Sequence, residues 1–217
     1  MYSNLYAIFG GTFDPVHFGH LYSAKMLASE IGLKSVILMP NNIPPHRLKP
    51  EANAIQRLDM LRFAINKEPL FKIDNRELQY EEPSWTVSTM EKIRIELGNN
   101  TSIAFIMGYD SLLNLTNWYR WKDLISLCHL LVCNRSDITL NEKDNKIDSS
   151  LYKYITRDIN KLYLKPSGCI WLANTPFFNV SSTKIKLLFS QNKMCNCNNL
   201  LPQAVIDYII KHRLYMK

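Results

Sequence analysis

Between Leu5 and Met39 the chain writes a short apolar run, Leu5–Phe9, then a stretch of helical spacing, then a second apolar run, Ser35–Met39. No other feature constrains the fold as tightly. Leu21, Ala24, Met26, Leu27 and Ile31 mark the helix, and Gly32 ends it. A helix between two buried strands returns the chain to its starting side. The strands must then be parallel, with a right-handed crossover.

The alternation continues to the end of the chain. Ala54–Ile65 reads as an amphipathic helix with Ile55, Leu58, Leu61, Phe63 and Ile65 as its apolar positions. Phe71–Asp74, Ser102–Met107, Leu130–Cys133 and Cys169–Ala173 read as strands, and Thr86–Leu97, Ser181–Phe189 and Pro202–Lys211 as helices. Asn134–Ser149 is polar and reads as a loop. The expected fold is α/β, a Rossmann-like sandwich with a mostly parallel sheet and helices on both faces. No repeat or long linker divides the 217 residues, so 1–217 is expected to be a single domain.

In such sheets ligands sit beyond the carboxyl ends of the strands. The segment after the first strand is Gly10-Gly11-Thr12-Phe13-Asp14-Pro15-Val16-His17-Phe18-Gly19-His20. It is neither a dinucleotide fingerprint nor a P-loop. It nonetheless has the parts of a phosphate site: a glycine pair that lets a ligand approach the backbone, and a helix N-terminus with unpaired N–H groups. His17 and His20, three apart on one face of the first turn, can donate hydrogen bonds to phosphate oxygens. Two isolated surface histidines would not be expected to fall together at a strand–helix junction.

This segment resembles the signature of the nucleotidyltransferase superfamily with its H-x-G-H element, in the form found in nicotinate-nucleotide adenylyltransferases. The resemblance implies a single nucleotidyltransferase domain in which His20 contacts the phosphate under attack and His17 lies against the phosphates. Gly10, Gly11, Thr12 and Phe13 would then bind ATP. Pro40-Asn-Asn-Ile-Pro44-Pro45-His46-Arg47 is similar to a family segment that implies ATP contacts for His46 and Arg47. Val180-Ser181-Ser182-Thr183-Lys184-Ile185-Lys186 is similar to the second phosphate signature. It implies ATP contacts for Ser181, Ser182 and Thr183 and a catalytic role for Lys186, where the family carries Arg. Lysine keeps the charge but not the bidentate fork.

For the pyridine nucleotide the resemblance implies Thr86, Gly108, Asp110, Trp118 and Tyr119, with Trp118 stacking on the ring. Thr86 also reads as a helix N-cap. Trp85 stands where the family has Tyr, and Trp121 reads as core.

The implied reaction joins ATP to nicotinate mononucleotide, releasing pyrophosphate. Mg²⁺ is expected to arrive with ATP, and no protein metal site is expected. Nicotinamide mononucleotide and phosphopantetheine are alternative acceptors. A catalytically silent nucleic-acid-binding or regulatory module is the reading of a different class. The net charge of +7 fits that reading, but there is no dense Lys/Arg block, and nucleic acid is not the expected partner. The five cysteines form no disulfide framework or zinc spacing. The N-terminal stretch is unlike a secretory leader and no run is long enough to span a membrane, so a cytoplasmic location is expected. Oligomeric state is not legible.

Overall fold

A computed structural model describes residues 4–42, 49–80, 83–133, 147–176 and 178–216. The first strand, β1 (Tyr6–Gly11), is followed by α1 (Phe18–Ile31), β2 (Val36–Pro40), α2 (Ala54–Ile65) and β3 (Phe71–Ile73). Then come α3 (Thr86–Leu97), β4 (Ile103–Gly108), α4 (Tyr109–Leu113), α5 (Trp121–Leu127) and β5 (His129–Cys133). The chain ends with β6 (Ile155–Thr156), α6 (Asn160–Leu164), β7 (Ile170–Leu172), α7 (Ser182–Ser190) and α8 (Gln203–Lys211).

The seven described strands form one sheet in the order β3-β2-β1-β4-β5-β7-β6, and every described pairing is parallel. The sheet is therefore more uniform than the mostly parallel one expected. Both of its faces are covered, which is why its strands read as continuous apolar runs. The pleat sorts them. Ala7, Phe9, Val36, Leu38, Ala104, Ile106 and Leu131 face a core built with α1, α2, α7 and α8. Ile8, Ile37, Met39, Phe105, Met107 and Leu130 face a second core built with α3, α4 and α5.

Three helices differ in detail from the sequence expectation. In α2 the buried residues are Arg57, Leu58, Met60, Leu61 and Ala64, whereas Ile55 and Phe63 are exposed. The stripe facing the sheet runs 57–58–61–64, and positions 55 and 63 fall on the far side of a 3.6-residue turn. Met26 of α1 is likewise exposed. Trp85, not Thr86, is the N-cap of α3, and Thr86 is its first helical residue.

β1 and β4 are neighbours, and the chain winds outward from them in opposite directions. That reversal leaves a crevice beyond their carboxyl ends, where Gly11 and Gly108 lie.

Candidate active site

A cavity of about 490 Å³ opens at this reversal point. One wall comes from the end of β1 and the turn after it, Phe9 to Phe13, with His20 and Ser182. The opposite wall comes from Trp85 and Thr86 at the start of α3 and from Gly108, Asp110, Trp118 and Tyr119 after β4.

The turn is built under tight steric limits. A Cβ on Gly10 would stand 2.6 Å from the ring of Phe105, so only glycine lets β1 run flush against that side chain. Phe13 is buried and holds φ at 50°, the left-handed region that a bulky residue adopts only where its surroundings fix it. Its ring meets His20 edge-on at 5.1 Å.

His17 is the N-cap of α1 and His20 its third residue. Both are buried, and their rings stack at 3.7 Å with planes 26° apart. The backbone N–H of His17 donates to His20 Nδ1 at 3.3 Å. In the neutral imidazole this leaves the proton on Nε2, making that atom a donor. Gly19 allows the pair to form, since a Cβ there would lie 3.0 Å from the His17 ring.

The turn is held from behind by buried charge. Arg57 is almost wholly buried, and its guanidinium donates to the carbonyls of Thr12 at 2.8 Å and Asn41 at 2.6 Å. One side chain thereby ties the end of β1 to the end of β2. Burial lowers its pKa, and the nearby Asp14 carboxylate works against that. Asp14 accepts from the backbone N–H groups of Glu51 and Ala52, from the Tyr215 hydroxyl at 2.6 Å and from Lys186 Nζ at 3.1 Å. Burial alone would raise its pKa. The bonds from Tyr215, Glu51 and Lys186 outweigh burial and hold it below the usual carboxylate range.

The second phosphate-type segment reaches the same turn. Ser181 is the N-cap of α7 and accepts from the N–H of Lys184 at 3.2 Å, and Ser182 Oγ donates to the carbonyl of Pro15 at 3.0 Å. The N-termini of α1 and α7 thus meet across Pro15, although about 165 positions separate them.

Trp118 is half-buried and meets Phe105 edge-on at 6.5 Å. Tyr119 is exposed and lies 5.0 Å from Trp85. Glu77 also lines the cavity and accepts from Thr89 Oγ1 at 2.5 Å. Burial raises its pKa, and the Thr89 and Ser84 hydroxyls partly counter that rise.

Of the residues expected from sequence, Gly10, Gly11, Thr12, Phe13, His20, Thr86, Gly108, Asp110, Trp118, Tyr119 and Ser182 share this cavity. His17 stands behind His20, and Ser181 and Thr183 flank Ser182 on the exposed start of α7. Lys186 is placed differently from expectation. Its ammonium sits on Asp14 and on Glu51, at 2.9 Å from the latter, and the side chain is not among those lining the cavity. His46 and Arg47 lie outside the described residues.

Sequence reasoning missed Asp14, Arg57, Glu77 and Tyr215. A cation in phase with the apolar stripe of α2 could have exposed Arg57. Asp14 stands inside the quoted Gly10–His20 segment but carried no role there, and nothing local marks Glu77 or Tyr215.

Among the described residues no group of three or more His, Cys, Asp or Glu could hold a metal ion. Four of the five cysteines are buried and all five are free. No described helix is long and apolar enough to cross a membrane.

A cytidylyltransferase-like family model matches residues 8–187. The chain is 44% identical over 213 residues to a Klebsiella pneumoniae (strain 342) protein named "Probable nicotinate-nucleotide adenylyltransferase", covering 98% of each chain. A Pectobacterium atrosepticum protein of the same name is 44% identical over 212 residues, covering 98% of this chain and 99% of the relative. The fold is similar to that of Plasmodium falciparum nicotinic acid mononucleotide adenylyltransferase complexed with NaAD. The TM-score is 0.71 at 20% identity, over 98% of this chain and 97% of that one. With a cytidylyltransferase-like match over most of its length and full-length relatives of one name, the chain belongs to the nicotinate-nucleotide adenylyltransferase family.

Proposed function

We propose that the protein transfers AMP from ATP to nicotinate mononucleotide, giving nicotinate adenine dinucleotide and pyrophosphate, and that one domain spanning 1–217 carries the whole reaction. The observation that carries this reading is the joint placement on one cavity of His20, the Gly10-Gly11 turn, Ser182 and an aromatic wall. The polyphosphate lies along the first wall and the pyridine ring along the second.

The acceptor's 5′-phosphate oxygen is already anionic and attacks the α-phosphorus of ATP in line. One P–O bond forms, and the bond to the pyrophosphate oxygen breaks. The protein supplies positioning and charge stabilisation, with no covalent intermediate. His20 donates from Nε2 to an α-phosphate oxygen, and His17 braces its ring. The N–H groups at the start of α7, with Ser181, Ser182 and Thr183, receive the leaving pyrophosphate. Lys186 adds positive field from its seat on Asp14 and Glu51, and His46 and Arg47 complete the ATP contacts. Trp118 stacks on the pyridine ring, with Thr86 and the Tyr119 backbone near its carboxylate. Gly108 leaves room for the ribose, and Asp110 accepts from its hydroxyls.

Mg²⁺ bound with ATP would supply charge neutralisation on the polyphosphate, and no protein residue is assigned to hold it. Free cysteines and the demand for ATP fit a cytoplasmic setting.

The test is product identification by mass spectrometry after mixing protein, ATP, Mg²⁺ and each of three acceptors: nicotinate mononucleotide, nicotinamide mononucleotide and phosphopantetheine. Nicotinate adenine dinucleotide should form fastest. Preferred turnover of another acceptor, or ATP left intact with all three, would overturn the reading.

A further inference from the structure

Tyr215 does not line the cavity, but it touches Asp14, which directly follows the lining residues Thr12 and Phe13 on the same turn. Its hydroxyl donates to Asp14 Oδ1 at 2.6 Å across 201 positions of chain. The residue is buried, its ring lies 6.5 Å from that of Phe189 in α7, and Lys186 Nζ is 5.8 Å from the ring centre. Its φ is 60°, so an aromatic residue occupies the left-handed region. Such a conformation persists only where neighbours over-determine it.

Asp14 is the residue between strained Phe13 and Pro15, on the turn that ends at the N-cap His17. Arg57 fixes the Thr12 carbonyl and Ser182 fixes the Pro15 carbonyl. Phe13 and Asp14 lie between those two anchors, and Asp14 carries the polar side chain. Among the described residues, the other bond to its Oδ1 is the longer one from the N–H of Ala52, at 3.2 Å.

We infer that Tyr215 is a positioning residue for transfer: through the Asp14 carboxylate its hydroxyl sets the turn on which the His17–His20 pair is mounted. The inference rests on the function proposed above. Burial and the adjacent Asp14 raise the Tyr215 pKa, so the phenol keeps its proton and remains the donor. The bond is charge-assisted, the stronger class of hydrogen bond. The chemistry needs the imidazole within a few tenths of an ångström of its productive place, so a loosened turn should cost turnover more than binding.

Tyr215→Phe keeps the ring and removes the bond. It should lower kcat about tenfold while both KM values stay within about twofold. Asp14→Asn should lower kcat as well, and the double variant should fall little further, because both changes cut one connection. Phe189→Leu loosens the same packing without touching Asp14. It should lower the unfolding temperature and leave kcat within about twofold.

The inference is overturned by unchanged kcat in Tyr215→Phe, by losses that multiply in the double variant, or by an equal kcat loss in Phe189→Leu. If Asp14→Asn does not fold, the Tyr215→Phe and Phe189→Leu arms still decide. Wild-type protein in the same pyrophosphate-release assay separates the two claims. Wild-type turnover with an unaffected Tyr215→Phe sinks this inference alone, whereas absent wild-type turnover sinks the proposed function and the inference with it.

Discussion

His17 and His20 stack face to face at 3.7 Å, while the backbone N–H of His17 occupies Nδ1 of His20. In the neutral imidazole this contact leaves Nε2 as the donor of His20, and the stack restricts rotation of its ring. An H-x-G-H element is therefore a mounting as much as a pair of ligands. The small residue between the histidines is part of it, because a Cβ at Gly19 would stand 3.0 Å from the first ring, tight enough that the ring must give by a few tenths of an ångström.

From this arrangement, His20→Ala should lower kcat by roughly 10²–10³, the usual effect of removing one transition-state donor. The folded state should be nearly unchanged by circular dichroism. Steady-state kinetics with saturating ATP checks it, and near-wild-type turnover would remove His20 from the reaction.

Gly10→Ala would drive a methyl group into the Phe105 ring. Overpacking of this kind costs about 1–3 kcal/mol. Because Phe105 packs against Trp118, the acceptor KM should rise together with the loss of stability. Urea titration and acceptor-dependent kinetics on one preparation would reveal both.

Trp118→Ala should raise the KM for nicotinate mononucleotide about three- to tenfold, the scale of one aromatic contact. The KM for ATP should move little, because Trp118 belongs to the opposite wall. Equal rises in both constants would mean that the two substrates are not divided between the walls as proposed.

His129 supplies a pH signature unrelated to catalysis. It is fully buried at the start of β5, where Nδ1 accepts from the N–H of Cys169 and Nε2 donates to the carbonyl of Lys165. Burial is the main cause that pushes its pKa down to about 4. The unfolded chain takes up this proton near pH 6.5 and the folded chain only near 4. Its share of stability is thus complete above pH 6.5 and drains away as pH falls toward 4, about 3 kcal/mol in all. Urea midpoints measured from pH 7.5 to 4.5 should fall accordingly, and His129→Gln should flatten that slope.

The sheet and its main helices were legible because their signals are local. Ser35–Met39 and Ser102–Met107 are apolar on both faces, as a strand covered by helices must be. The double glycine and the two Ser/His segments fixed where phosphate chemistry would gather. Short elements escaped: α4, α5, β6 and α6 span too few residues for a period to emerge. Ile55 and Phe63 misled because large apolar side chains also occur on surfaces. Arg57 was hidden by its charge, since a cation is a poor candidate for the middle of a core until the carbonyls that receive it are seen. Asp14 and Tyr215 are joined only by folding, so no spacing rule connects them. Lys186 carried the expected charge, but the carboxylates that hold it come from other parts of the chain.

The reversal of winding between β1 and β4 has a consequence for how this enzyme could diversify. On the function proposed here, the phosphate side is assembled from the β1–α1 turn and α7, and the acceptor side from residues around the start of α3 and the segment after β4. Mutation can therefore remodel the pocket for a new recipient molecule while the adenylate-handling half is inherited intact, so the scaffold can change its customer without relearning its trade.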